Sequence, residues 1–201
     1  MSEFVAFVQL GFRHITDVEA MDHILFLLAL AAIYRWRDWR SSLWVVTAFT
    51  VGHSVTLALA VSRLVTFPMA VIEFLIPVTI VATAIENLVV RERRQALWGG
   101  RYRPVFAAVF GLVHGAGFAS YLNSLFMDHI AVPLAGFNAG IELGQIIVLL
   151  LAGLVLTALD TLIARLPLPA RAPAPLRLRV LLVSSLVLVI AVRWAVVRSP
   201  F

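Results

Sequence analysis

The chain has 201 residues, of which 62% are hydrophobic and only 13% are charged. Soluble domains carry about 25% charged residues, so this composition excludes an ordinary water-soluble domain and indicates a protein that lies in lipid. The basic residues, sixteen arginines and no lysine, stand in short clusters between apolar runs and give a net charge of +5. Such clusters are typical of residues that bind lipid headgroups at a membrane face, so we expect membrane lipid and no nucleic acid as a partner.

The first apolar stretch, residues 1–17, is interrupted by polar side chains and is predicted to be an interfacial or re-entrant segment. It carries Glu3 in place of basic residues and has no small-residue cleavage site, so it does not resemble a secretory signal. Six longer apolar runs follow, each close to the roughly 20 residues that a helix needs to cross a bilayer core. They predict transmembrane helices at about 18–34, 39–61, 68–90, 104–122, 133–163 and 176–197.

The arginines alternate between the loops that join these helices. The loops after the first, third and fifth predicted helices hold three, five and four arginines, whereas the loop after the second holds one and the loop after the fourth holds none. By the positive-inside rule the basic loops are cytoplasmic and both termini are outside. We therefore predict an all-α, polytopic integral membrane protein, with six helices in one bundle, a single domain over residues 1–201 and a location in a bacterial inner membrane.

Seven ionisable side chains interrupt the apolar helices, where each would cost a few kcal/mol unless it has a partner or faces a cavity. Six are predicted at similar depths in the outer half of the membrane: Asp22, His23, His53, Glu73, His114 and Glu142. The chain has no cysteine, so a metal would be held by nitrogen and oxygen. Imidazoles and carboxylates suit nickel, cobalt, zinc or manganese, and these six residues are the predicted ligands. The alternative is that the same groups pair with one another between helices.

The surroundings of these residues indicate which others take part. On the fifth predicted helix, polar residues at i, i+4 and i+7 share one face, and glycines at four-residue spacing share the opposite face, which permits close approach of another helix. Glycines also surround His114. The seventh ionisable residue, Glu86, lies near the inner face. The predicted accessory or pathway residues are His14, Thr50, Ser54, Glu86, Asn87, Asn138 and Gln145.

Several motifs together resemble the HupE/UreJ family over about residues 10–150. They are GFRHI at 11–15, MDHILFLLALA at 21–31, TAFTVGHSVTLALA at 47–60, VIEFLI and AIENL in the third predicted helix, FGLVHGAGFA at 110–119 and FNAGIELGQ at 137–145. The resemblance implies a small polytopic membrane protein linked to hydrogenase and urease maturation and regarded as a nickel permease, with cobalt in some members. It also implies metal-delivery or metalloenzyme-maturation proteins as partners.

The family motifs map residue by residue onto this chain. A His followed by Asp-His corresponds to His14, Asp22 and His23, and a later His-Gly with a Glu corresponds to His114 and Glu142. Seven residues separate His14 from Asp22 here, where the family pattern has five, and the usual glycine before the pair is absent. The resemblance therefore implies Asp22 and His23 as ligands and leaves His14 an accessory residue.

The leading prediction is a permease or binding protein for a divalent transition-metal ion, with nickel favoured and cobalt or zinc as alternatives. A second hypothesis is an intramembrane zinc-dependent hydrolase of a lipid or peptide, in which a metal with an open coordination position works beside a carboxylate base. A third is a structural assembly partner that binds no metal. Metal retention during purification discriminates the first two, since a permease must release its ion.

Overall fold

The computed structural model describes residues 2–18, 21–90, 102–123, 130–167, 169 and 171–201, with the backbone alone for 119–123. These residues form seven α-helices and one 3₁₀ turn, and they contain no strand. The helices are α1 (Glu3–Thr16), α2 (Asp22–Ala32), α3 (Trp39–Val61), α4 (Met69–Val89), α5 (Arg103–Asn123), α6 (Ala131–Arg165) and α7 (Pro175–Val197), with the 3₁₀ turn at Trp36–Asp38.

Four segments are long and apolar enough to cross a bilayer: Trp36–Val61, Met69–Val89, Ala131–Arg165 and Pro175–Val197. The all-helical prediction is thus confirmed, and the chain is an integral membrane protein. The predicted span at 18–34 is shorter in the structure. Helix α2 holds 11 residues and begins at Asp22, whose carboxylate stabilises the helix N-terminus. At 1.5 Å per residue α2 is only about 16 Å long, roughly half of a bilayer core.

Helix α1, in the segment predicted to be interfacial or re-entrant, packs lengthwise along the first half of α6. The glycine face of α6 permits this contact, as the sequence predicted, because a methyl group at Gly140 would overlap the Val8 carbonyl oxygen. The contacts advance in step along both helices, so the two helices are parallel. Phe4 lies against Gly136, Val8 against Gly140 and Ile15 against Gly144.

Helices α3 and α5 make a second close pair, and here too backbone meets backbone. A methyl group at Gly52 would overlap the Ala108 carbonyl oxygen, and one at Gly111 would overlap the Phe49 carbonyl oxygen. Gly115 faces the His53 carbonyl group in the same way. Small residues of this kind allow membrane helices to gain packing energy that larger side chains would prevent.

Helices α1 and α2 follow one another in the same direction across the bundle. Helix α7 is antiparallel to α6, because Arg179 near its start bonds Asp160 near the end of α6 at 2.6 Å. Helix α2 is antiparallel to α7, because its first residue, Asp22, pairs with Arg198 and its last, Ala32, accepts from Arg179. Helices α1 and α2 are therefore two separate elements, both parallel to α6, of which the first ends at Thr16 and the second begins at Asp22.

The start of α7 closes the arginine-rich end of the bundle. The Arg177 guanidinium donates to the carbonyl oxygens of Asn87, Leu88 and Val90, where α4 ends. The Arg179 guanidinium donates to Ala32 and Tyr34, where α2 ends. The last carbonyls of a helix have no partner within it, so these two arginines satisfy them and fasten α7 to both helices.

Candidate metal centre

Four histidines from four helices converge inside the bundle: His14 of α1, His23 of α2, His53 of α3 and His114 of α5. We call them the histidine cluster. The ring centroids of His14 and His23 are 4.6 Å apart and those of His23 and His114 are 5.1 Å apart. His53 lies 5.9 Å from His14 and 6.2 Å from His23. The break between α1 and α2 creates this meeting, since His14 is in the last turn of α1 and His23 in the first turn of α2.

Three of these rings are close enough to share one ion. One nitrogen each of His14, His23 and His53 lies within 4.8 Å of the other two. Two nitrogens bound to one metal at about 2.0–2.1 Å are at most about 4.2 Å apart, so the rings need only a modest inward movement. The structure thus brings His23 and His53 together as predicted, and it places His14, predicted as an accessory residue, in the same group.

The ring nitrogens of the cluster are buried, and most have no partner in the described part of the chain. His53 is fully buried, and His114 and His23 are 1% and 7% exposed. Both nitrogens of His23 and of His53 lack a hydrogen bond to any described residue, as do His14 Nε2 and His114 Nδ1. A buried polar atom without a partner costs about 1–3 kcal/mol, and nearly all such atoms in folded proteins are satisfied. Several such atoms in one place are available to accept a ligand or water.

Aromatic side chains enclose the histidine cluster. Phe118 lies 3.9 Å from His14 between ring centroids, and Phe49 lies 5.2 Å from His114. Phe137 of α6 stacks on His53, and Phe26 of α2 faces His114. These rings replace water around the imidazoles, so the cluster is a low-dielectric environment in which neutral nitrogen donors are favoured over charged groups.

Thr79, a residue that the sequence analysis did not single out, contacts Nε2 of His114. Thr79 of α4 lies with its hydroxyl oxygen 3.1 Å from His114 Nε2 and also donates to the Ile76 carbonyl oxygen. This contact leaves Nδ1 of His114 as the nitrogen without a partner among the described residues. Hydrogen bonds of this kind set the tautomer and orientation of a ligating histidine.

The predicted polar face of α6 binds the hydroxyl face of α3. Thr47 donates to Glu142 at 2.6 Å, and Thr50 donates to the Gln145 side-chain oxygen at 2.8 Å. Ser54 donates to the Thr50 carbonyl oxygen of its own helix. Asn138, on the same side of α6, has a buried side-chain oxygen with no hydrogen bond to a described residue. Glu142 and Gln145 therefore join α6 to α3 in this state.

The other two predicted carboxylate ligands lie apart from the three-histidine group. Asp22 accepts two hydrogen bonds from the Arg198 guanidinium, each at 3.1 Å, and so joins the start of α2 to the end of α7. Glu73 is exposed on the first turns of α4.

The predicted inner residues Glu86 and Asn87 belong to a second polar cluster, the arginine–glutamate cluster, with Tyr102 and Arg103. The Arg103 guanidinium donates to Glu86 at 2.6 Å and to the Asn87 side-chain oxygen at 3.2 Å, and Tyr102 also donates to Glu86. Asn87 donates in turn to the Ala29 carbonyl oxygen. Burial and the hydrogen bond to Glu86 raise the pKa of the Tyr102 hydroxyl, which therefore remains a donor.

A line of buried polar residues on α4 connects the two clusters. Thr79, Thr83 and Asn87 recur every four residues and so share one helix face. Beside Thr83 is a cavity of about 90 Å³ that Glu86 and Arg103 also line. The four-residue spacing was visible in the sequence, but threonines are common in membrane helices and only the structure shows that these face inward.

A family model described as HupE / UreJ protein matches residues 1–198 of this chain. Comparisons with curated proteins and with solved structures gave no match.

Proposed function

The chain belongs to the HupE/UreJ family, and from that membership and the histidine cluster we propose that it is a membrane permease for a divalent transition-metal ion, with nickel as the first ion to test. The observation that carries the proposal is the set of buried imidazole nitrogens without partners. Nickel, cobalt and zinc all accept imidazole nitrogen, and the absence of cysteine disfavours copper(I), which prefers sulfur. The ion is the cargo of this site.

We assign the binding step to His14, His23 and His53, with His114 as the fourth donor. Neutral imidazoles alone do not offset the charge of a dication, so we assign charge compensation to the nearby carboxylates. Asp22 is adjacent to His23 in the chain, and Glu142 lies on α6 five residues after Phe137, whose ring stacks on His53. Glu73, exposed near the predicted outer end of α4, is suited to attract cations before they enter.

We place the route from the cluster to the cytoplasm along the polar face of α4. His114, Thr79 and Thr83 would hand the ion to the small cavity beside Glu86. There the bond between Arg103 and Glu86 blocks the way, because it presents a positive guanidinium to a cation. In this reading the structure corresponds to an inward-closed state, and release requires Glu86 to leave Arg103.

The driving force in this proposal is the membrane potential. The sequence contains no phosphate-binding loop of the kind that nucleotide-driven transporters use. A dication that moves inward gains roughly 4–5 kcal/mol for each 100 mV.

The intramembrane hydrolase is the weaker alternative on chemical grounds. It needs a free carboxylate beside the metal as a base. Within the described residues the three-histidine group contains no carboxylate that could act as this base.

The test is nickel uptake into proteoliposomes that hold a potential negative inside and an internal nickel-sensitive dye. We expect uptake above that of empty vesicles, its abolition by His53→Leu, and its retention in the matched control Gln9→Leu, an exposed polar-to-leucine change on α1. Uptake by His53→Leu at the wild-type rate would contradict the proposal. Metal that stays bound one-to-one through chelator washing, without uptake, would favour the enzyme.

A further inference from the structure

A second cavity, of about 480 Å³, lies at the arginine-rich end of the bundle, between the 3₁₀ turn with the start of α3 and the second half of α6. Its volume is within the roughly 300–1,000 Å³ of pockets that hold small ligands. No step of the proposed transport route uses it, and its lining includes no member of the arginine–glutamate cluster.

One wall of this cavity is apolar and follows α6 along the membrane. Leu149, Leu150 and Leu156 line it, and Leu43 of α3 faces them. Gly153 leaves room in the middle of the wall, because a methyl group there would only touch the Trp36 ring, at 3.5 Å. A wall of this kind matches a hydrocarbon chain lying parallel to the helix.

The other end of the cavity is cationic. Arg35, Arg37, Arg179 and Asp160 are its charged residues, so three positive charges and one negative charge leave a net +2. Arg179 is committed to Asp160 and to the end of α2. Among the residues that line the cavity, the charge that Asp160 does not balance is therefore that of Arg35 and Arg37, both of which are exposed, while the neighbouring Asp38 carboxylate accepts from the Arg35 backbone N–H.

Tryptophans mark the boundary between these two ends. Trp36 and Trp39 both line the cavity and are 50% and 53% exposed. Tryptophan is enriched at the headgroup level of membranes because its ring is apolar and its N–H is polar. The cavity thus offers an apolar wall, an interfacial aromatic level and a cationic end in the order in which a phospholipid presents its chain, glycerol and phosphate.

We infer that this cavity is a binding site for an anionic phospholipid, whose phosphate is held by Arg35 and Arg37 and whose chain lies against α6 beside Gly153. Basic pockets between membrane helices on the cytoplasmic side bind such headgroups, and a zwitterionic lipid would lack the net negative charge that the two arginines match. This inference is independent of the proposed transport function, since it shares no residue with the histidine cluster.

The experiment is native mass spectrometry of the full chain, with phosphatidylglycerol and phosphatidylcholine of identical chains added in turn. We expect one molecule of phosphatidylglycerol to remain bound to each protein chain and to be retained at least tenfold better than phosphatidylcholine. At about a fivefold effect for each arginine, Arg35→Gln/Arg37→Gln should weaken binding roughly 25- to 30-fold. The control Arg13→Gln/Arg193→Gln removes two other exposed arginines and should bind normally.

Two further arms identify the occupant. Gly153→Leu narrows the cavity at its apolar wall, against Trp36, and should weaken phosphatidylglycerol binding while both arginines remain. In contrast, 10 mM inorganic phosphate should not displace the lipid. Four results would each overturn the inference. They are equal retention of the two lipids, equal loss of lipid in the control variant, displacement of the lipid by free phosphate, and a mass that shows a second copy of this chain at the site. If Gly153→Leu fails to fold, the arginine pair and its control still decide the result.

Discussion

The histidine cluster and the arginine–glutamate cluster both place polar groups inside an apolar bundle, but among the described residues only the side chains of the second bind one another. Even there, Nε and Nη1 of Arg103 have no hydrogen-bond partner in the described part of the chain. Each member of the arginine–glutamate cluster donates to or accepts from another member, and Asn87 also binds α2. In the histidine cluster, six ring nitrogens have no partner among the described residues. The arginine–glutamate cluster thus joins helices through its own side chains, whereas the histidine cluster has the unpartnered nitrogen donors that the proposed metal site requires.

The largest effect we expect is on metal affinity. The double variant His23→Leu/His53→Leu removes two of the three grouped donors and should weaken nickel binding by roughly 100-fold or more, since even residues that only orient a ligand contribute 10- to 100-fold. Because these imidazoles are unsatisfied, apolar replacements of similar size should leave the free energy of unfolding unchanged or raise it. Equilibrium dialysis and thermal unfolding of the same sample measure both. If the double variant loses stability but binds nickel with normal affinity, the histidines join helices and do not bind the ion.

The next largest effect we expect is on stability, at the arginine–glutamate cluster. Arg103→Gln leaves the Glu86 carboxylate without its ion-pair partner and should cost about 2 kcal/mol of stability, below the 3–5 kcal/mol of fully buried pairs because Glu86 is 25% exposed. Nickel affinity at the histidine cluster should not change. Unfolding measured in mixed micelles gives the stability, and Glu86→Gln/Arg103→Gln should recover part of it because no lone charge remains. If the double variant is no more stable than Arg103→Gln, the ion pair is not the source of the lost stability.

The smallest effect tests the contact between Thr79 and His114. Thr79→Val removes the hydroxyl that holds His114 Nε2 and should weaken nickel binding about tenfold. Thr83→Val is the matched control. The Thr83 hydroxyl donates to the Thr79 carbonyl oxygen of its own helix and makes no described hydrogen bond to a histidine. Titration calorimetry of the two variants compares them. Equal affinities would mean that Thr79 does not orient the ligand.

Much of the fold could be predicted because hydrophobic runs and glycine spacing act locally. The four long apolar helices and the glycine face of α6 required only residue order. The segment at 1–17 was predicted as separate from the first span, but hydropathy could not show that this span begins only at Asp22. The packing of α1 on α6 could not be predicted either, because it joins residues that are distant in the chain.

The site was predicted in part for a similar reason. Histidines within apolar runs are costly, so His23, His53 and His114 stood out individually, whereas the place of His14 depends on the packing of α1 along α6. For the arginines, the number of charges could be read from the sequence, but their partners could not. Arg103, Arg177 and Arg179 counted as loop charges in the sequence, yet each binds groups on other helices. A charge count cannot separate an arginine that faces headgroups from one that caps a helix.

The glycine contacts have a consequence for how a bound ion could be released. Backbone contact packs α3 closely against α5, a helix pair that carries His53 and His114, and packs α1 closely against α6, a pair that carries His14. In the proposed site, the number of histidines that reach one ion would depend on the distance between these two helix pairs. A relative shift on the order of 1–2 Å, typical of packed helices, would turn a multidentate site into one of lower denticity. Affinity would then be set mechanically, without any histidine having to take up a proton.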